Sequence, residues 1–212
     1  MKMSTMNRGW AGLLCAVLMA GVLPAQGQML RARTGPAMPA APGAAGAAAG
    51  AVKIKKLAPV KAMTPVFEVK HGSNPTSRPK EWWCARMEFE TGQDWTDELE
   101  VTTYVYVQDQ SNKNAPLMFK DVTTYVDLEK GTHLAEVYLH PDTFKKVGIP
   151  KYVAVVIRVA GAVVATESTA TTQNWWDQFT PVDGVLLPRS RTPFAVVDYD
   201  NYPCVKPEAT RR

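Results

Sequence analysis

Acidic and histidine side chains are the first candidates for chemistry in this chain. The three histidines are scattered, so they make no ligand cluster for a metal. Carboxylates such as Glu88 and Glu90 fall on one predicted solvent face, whereas glycosidases hold two carboxylates across a cleft. Asp198, Asp200 and Asn201 lack the glycine and the distal glutamate of a calcium loop. We therefore expect no catalytic site, metal or cofactor, and an unrecognised hydrolase is the alternative.

Cysteine is the second candidate, because the thiols of an exported chain are oxidised in the compartment that it enters. Cys15 lies in the N-terminal apolar run, so removal of that run leaves only Cys84 and Cys204. Two thiols in an oxidising compartment usually pair, and we predict a Cys84–Cys204 disulfide. Strand parity puts Cys84 on an outer face, where the C-terminal segment would cover it. The alternative is two separate thiols.

Aromatic side chains are the third candidate. Alternation places Trp82, Tyr104 and Tyr106 on outer faces, and the Trp175-Trp176 doublet cannot bury both rings if it is extended. Exposed aromatic rings mark binding surfaces for protein or sugar. We take these five residues as the candidate binding surface. The alternative is that residues 171–207 cover them.

The N-terminus has the pattern of a signal peptide over residues 1–27. Lys2 and Arg8 precede an apolar run, and small residues at Ala25 and Gly27 place the cleavage site before Gln28. The run is short for a membrane span, so we expect export to the periplasm or cell surface and no transmembrane segment after cleavage. An uncleaved anchor and lipidation at Cys15 are the alternatives.

Residues 28–63 are predicted to be a disordered tether, because much of this stretch is Ala, Gly and Pro. Eight of the 24 Lys and Arg residues precede residue 64, where no acid occurs, so the remaining 16 face 20 Asp and Glu. The folded part is thus mildly acidic, and we expect no nucleic-acid partner. The tether lysines either solvate it or contact an anionic surface.

Residues 64–207 are predicted to be one all-β domain. Apolar side chains recur at every second position in about seven short runs, the first at Pro65–Lys70, with no long helical period. In Leu117–Leu128 this parity switches between Phe119 and Val122, which predicts a bulge or a change of sheet. The spacing favours an immunoglobulin-like antiparallel β-sandwich, with an up-and-down barrel as the alternative. Residues 171–207 are too apolar for a free tail and should wrap the sandwich.

One segment of the chain resembles a known group of proteins. Leu187-Pro188-Arg189-Ser190-Arg191-Thr192-Pro193-Phe194, with Trp175-Trp176 before it and Asp198-Tyr199-Asp200-Asn201-Tyr202 after it, is similar to small secreted proteins of Verrucomicrobia-like bacteria. The resemblance covers residues 80–203. It implies an immunoglobulin-like fold and a gene beside type IV pilus-like machinery.

The function expected from these observations is a non-enzymatic exported binding or scaffold protein. A pilin keeps a long apolar helix after its processing site, whereas this chain has the Ala/Pro/Gly tether there. We therefore expect an accessory of a pilus-like or envelope assembly that contacts an envelope protein. The alternative is a carbohydrate-binding accessory protein whose five aromatic residues stack on a glycan.

Overall fold

The computed structural model describes residues 52–67 and 78–207. The predicted signal peptide and residues 28–51 of the predicted tether lie outside the described residues. The strands are β1 Val52–Met63, β2 Glu81–Asp109, β3 Ala115–Leu139, β4 Tyr152–Val159, β5 Ala162–Ser168, β6 Val182–Asp183 and β7 Leu186–Pro188. Helix α1 spans Pro141–Val147, and short 3-10 helices span Gln110–Asn112, Trp175–Gln178, Arg189–Arg191, Pro193–Val196 and Tyr199–Asn201.

The long β2–β3 hairpin builds both layers of the fold. Its antiparallel register shifts between Thr91 and Trp95, which divides each strand into two halves. Met87 from the first half of β2 lies in the same buried cluster as Val101 from the second half. Two distant positions of one strand can share a core only if the strand folds back on itself. The hairpin therefore doubles over and encloses the core between its halves.

Two layers follow from this folding. The first contains β1, residues 81–91 of β2, residues 131–139 of β3, and β7. The second contains β5, β4, residues 95–109 of β2, residues 115–129 of β3, and β6. Inner positions alternate with outer ones, as two packed antiparallel layers require. The predicted all-β, immunoglobulin-like sandwich is confirmed, and the described strands do not close into a barrel.

Strand β1 corrects the predicted tether, which was to extend to residue 63. Val52, Ile54 and Leu57 pack into the core, and the whole strand pairs with β2. Lys55 pairs with Glu90 at 2.5 Å and Lys61 with Glu81 at 2.9 Å. Composition hid this strand, because the alternation of apolar and basic residues starts directly after the Ala-rich stretch. Val52–Met63 therefore belongs to the sandwich and not to the tether.

Two other local predictions have different outcomes. A first strand was predicted at 65–70, but residues 64–67 are not in a strand and 68–70 lie outside the described residues. The bulge or change of sheet near residues 120 and 121 is also wrong, because the β2–β3 register is continuous there. The parity changed because Val122 is an apolar residue that faces solvent.

The C-terminal segment wraps the sandwich as the fold prediction required. Trp175 and Trp176 cover the outer face of the second layer. The chain then runs along the edge of β3 as β6 and β7. Phe194 covers the outer face of the first layer, and Val205 returns to pair with Tyr125. One segment thus touches both outer faces and the edge between them.

Candidate binding groove at the edge of β3

The five predicted aromatic residues form two separate buried or half-buried clusters. Trp82, Trp175 and Trp176 are buried, and Tyr104 and Tyr106 are half-buried. Trp82 belongs to one cluster and the other four to the second. The prediction of one exposed aromatic surface is therefore wrong, and the alternative, in which residues 171–207 cover these rings, is the arrangement that the structure has.

The first cluster joins the C-terminal segment to the first layer. The Phe194 ring meets Trp82 edge-on with centroids 5.8 Å apart. The Trp82 indole N–H donates to Thr64 Oγ1 at 3.0 Å. Cys84 is fully buried in the same cluster, so its predicted position on a covered outer face is correct. The burial raises the pKa of the Cys84 thiol well above its ordinary range.

Both cysteines are free thiols, so the predicted Cys84–Cys204 disulfide is not formed in this structure. The Cys204 carbonyl accepts the Val126 N–H at 3.0 Å, which holds it at the edge of the second layer. Cys84 instead lies opposite Tyr138 in the first layer. A disulfide needs Cα atoms within about 7 Å, and packed sheets are themselves about 10 Å apart. The segment that covers Cys84 is therefore Phe194 and its neighbours, and not the chain around Cys204.

Val122 has no main-chain partner on the outward edge of β3 among residues 52–67 and 78–207. β6 pairs with Phe119 and Lys120, and farther along the Lys206 N–H donates to the Thr124 carbonyl at 2.8 Å. Peptide groups on one strand edge alternate in direction, so Val122 points its N–H and C=O the same way as Thr124. Among the described residues, no main-chain group pairs with Val122 on that edge. Its side chain is also 45% exposed.

A groove, which we call the β3 groove, opens beside Val122 on this edge. It consists of two adjoining cavities of about 460 and 350 Å³. Both are lined by Thr123, Pro188, Ser190 and Val205. The larger one extends to Glu136 and Tyr202, and the smaller one extends past Val122 to Lys206 and Pro207. The walls of the groove are thus made by the C-terminal segment and its floor by β3.

Glu136 anchors the deep end of the β3 groove. Its side chain is fully buried and accepts from Arg86 Nε at 2.5 Å and from the Tyr138 hydroxyl at 2.5 Å. Arg189 Nη1 donates to the second carboxylate oxygen at 3.1 Å. A buried carboxylate is stable only with such partners, so Glu136 is the point to which the C-terminal segment is tied.

Arg189 carries most of that attachment. Its guanidinium lies 3.6 Å from the centroid of the Tyr202 ring, which adds a cation–π contact to the ion pair. A second guanidinium nitrogen donates to the Val197 carbonyl. Burial and the neighbouring Glu136 raise the pKa of Tyr202 to about 12. Sequence analysis missed Glu136, because alternation with Ala135 and Val137 places it on an outward face and only the C-terminal segment covers it there.

The remaining polar candidates have structural roles or lack partners for a metal. His140 Nδ1 accepts the Asp142 backbone N–H at 3.2 Å, so His140 caps helix α1. Within residues 52–67 and 78–207, no group of three His, Cys, Asp or Glu side chains is placed to hold a metal ion. The helices in the same ranges include none that is long and apolar enough to cross a membrane.

These features define an immunoglobulin-like β-sandwich protein with a C-terminal wrap. A family model matches residues 43–209, most of the chain, and the chain belongs to that family. The chain is also similar to a protein of Akkermansia muciniphila, a Verrucomicrobium, whose crystal structure has been solved. The identity is 26% and the TM-score 0.67, over 75% of this chain and 94% of that chain. No match was found among curated proteins.

Proposed function

We propose that this protein is a non-enzymatic, exported binding or scaffold protein that holds an extended segment of an envelope protein in the β3 groove. The observation that carries the proposal is that Val122 has no main-chain partner on the outward edge within the described part of the chain. An extended peptide can add its own main-chain hydrogen bonds to a free strand edge, with side-chain pockets beside it supplying specificity. Val122 lines the smaller cavity of the β3 groove, and the larger cavity adjoins it at Thr123.

The lining of the groove fits a peptide with alternating apolar and polar residues. Val122, Val205 and Pro188 offer apolar contacts, and Tyr199 is 72% exposed at the far wall. Ser190 adds a hydroxyl that can donate or accept a hydrogen bond. In an extended ligand, every second side chain would face these residues and the others would face solvent.

The state of Glu136 supports a binding role over catalysis. It is a buried acid in a large cavity, which would be the first candidate for a general acid or base. Two guanidinium groups and the Tyr138 hydroxyl already donate to its oxygens. A general base must reach the proton of a substrate. The hydrogen-bonding directions of the Glu136 oxygens are already occupied by donors of the protein itself.

The envelope assignment draws on the leader and the family. The signal-peptide pattern of residues 1–27 supports export to the periplasm or cell surface. The resemblance of residues 80–203 to secreted proteins encoded beside type IV pilus-like machinery supports an accessory role in such an assembly. The Akkermansia muciniphila match supports the same bacterial lineage.

A peptide library tests the proposal with a matched pair of variants. Peptides selected on the wild-type protein would be measured against Ser190→Trp, which fills the groove, and Thr166→Trp, which adds the same ring on exposed β5. We expect Ser190→Trp to abolish binding and Thr166→Trp to leave it unchanged. Equal binding to both variants, or no selected peptide, would contradict the proposal.

A further inference from the structure

A second cavity lies on the outer face of the second layer, away from the β3 groove. Its volume is about 280 Å³, and it shares no lining residue with the groove. Tyr106, Tyr152 and Phe179 contribute its aromatic surface. We infer that this cavity, which we call the tyrosine cleft, binds one saccharide ring. This inference goes beyond the proposed function, because peptide binding in the groove does not require it.

The aromatic rings of the tyrosine cleft are held in place by their packing. Tyr106 and Tyr152 stack with centroids 5.8 Å apart and planes at 27°. Phe179 lies 5.1 Å from the Tyr106 ring, and Trp175 meets that ring edge-on at 6.1 Å. The Trp175 indole N–H donates to Ser168 Oγ at 2.9 Å, which fixes the tryptophan. The platform is therefore formed before any ligand arrives.

Tyr152 is the ring that a ligand can reach. Its exposure is 42%, unlike the buried Trp175 and Trp176. An aromatic ring that is packed on one side and open on the other can stack on the apolar C–H face of a sugar ring. The hydroxyl of the same tyrosine remains available as a donor or acceptor for sugar hydroxyls.

Polar groups surround this platform. Gln108 and Gln178 each bring an amide that donates and accepts, and Thr171 and Thr172 bring hydroxyls. Lys151 is the charged side chain of the lining, so the cleft suits a neutral or an acidic sugar better than a cation. A small cavity with apolar walls and a few oriented polar groups is typical of a small-molecule site, and its size fits one ring.

A peptide strand is a poorer occupant of the tyrosine cleft. The strand that carries Tyr106 is paired on both edges, with Met118 of β3 on one side and Tyr152 of β4 on the other. It therefore offers no free edge for added main-chain hydrogen bonds, in contrast to Val122. The location also refines the predicted glycan surface, because Tyr104 is stacked against Trp176 with centroids 6.0 Å apart, while Tyr152 was not predicted.

Glycan arrays with neutral and acidic sugars, followed by calorimetry on the full chain, test the inference. We expect Tyr152→Ala to weaken sugar binding by about tenfold or more. Tyr199→Ala removes a more exposed tyrosine from the β3 groove and should leave sugar affinity unchanged. Whether neutral or acidic sugars bind best identifies the role of Lys151.

A second variant covers the case in which Tyr152→Ala disturbs packing. Gln178 is exposed, so Gln178→Ala should preserve the thermal midpoint and still weaken sugar binding several-fold. The inference is overturned if no sugar binds the wild-type protein at millimolar concentration, or if both cleft variants bind as wild type does. Peptide binding in the groove is measured separately, so failure of one site leaves the other standing.

Discussion

The Phe194 ring stacks on the Tyr138 ring with centroids 4.6 Å apart and planes at 9°. Tyr138 belongs to β3, whereas Phe194 belongs to the C-terminal segment, so this contact seats the segment on the first layer. The Tyr138 hydroxyl in turn donates to Glu136. The aromatic contact and the buried ion pairs therefore hold the same stretch of chain, and Arg189 and Ser190 of that stretch line the β3 groove.

Phe194→Ala is expected to loosen the C-terminal segment. Deleting a buried aromatic ring costs about 3 kcal/mol of unfolding free energy, and most of that loss should fall on this segment. Hydrogen exchange should speed up at residues 189–197 and stay slow in β2 and β4. Val196→Ala, at a side chain that is 69% exposed, is the control. Equal acceleration across the sandwich would show that Phe194 does not act locally.

Glu136→Ala should destabilise the protein by about 3 kcal/mol, because it leaves Arg189 without its buried partner. The Arg86 side chain is 48% exposed, so water can solvate its guanidinium when Glu136 is removed. The loss of unfolding free energy therefore stays at the low end of the range for a broken buried ion pair. Glu98→Ala breaks an exposed pair with Lys206 and should cost less than about 1 kcal/mol. Urea denaturation of the two variants measures this difference, and equal losses would contradict it.

Alkaline pH is expected to weaken the same attachment. The folded pKa of Tyr202 is raised to about 12, above the unfolded value of about 10. A raised phenol pKa gives stability that is fully present below the unfolded value and is lost as pH rises from 10 through 12. Cys84, whose thiol pKa is also raised, should lower the unfolding free energy from about pH 8.5 upward, and Tyr202 should add its own loss above about pH 10. The unfolding free energy of Tyr202→Phe should fall less steeply with pH above pH 10 than that of the wild type. An identical slope for the two proteins would contradict the assignment to Tyr202.

The two thiols should differ sharply in reactivity. Cys204 is exposed, whereas Cys84 is buried and its raised pKa leaves little thiolate. A maleimide reagent near pH 7 should label Cys204 in the folded protein and Cys84 only after unfolding. Peptide mapping without reduction should then recover both labelled peptides. A Cys84–Cys204 crosslinked peptide would instead support the disulfide that the sequence predicted.

The sandwich and its wrap were predictable because they depend on alternation along strands. Trp83 and Ala85 face the core while Trp82 and Cys84 face outward, as parity required. The contribution of β1 was missed because Ala and Pro residues precede and interrupt it. Alternation of apolar and polar residues also cannot distinguish an apolar side chain that faces solvent from one that faces the core. The sequence around Val122 was therefore interpreted as a bulge or a change of sheet.

The site was harder to predict because it depends on contacts between distant parts of the chain. Parity correctly turned Trp82 outward, but only the folded chain shows that Phe194 covers it. Whether a strand residue is exposed depends on which later segment of the chain packs over it. The lack of a main-chain partner for Val122 on the outward edge among the described residues likewise depends on the pairings around it, and neither its residue type nor its neighbours in sequence encode it.

The central claim is that a partner segment adds to the edge of β3 at Val122. Val122→Pro removes the outward N–H, and proline is tolerated on strand edges, whereas Val122→Ala shortens the side chain and keeps that N–H. The measurement is the affinity of a groove-binding peptide for both variants, with thermal midpoints confirming that each is folded. We expect Val122→Pro to lose at least about tenfold in affinity and Val122→Ala to stay within about twofold. Equal affinity for the two variants would contradict the claim.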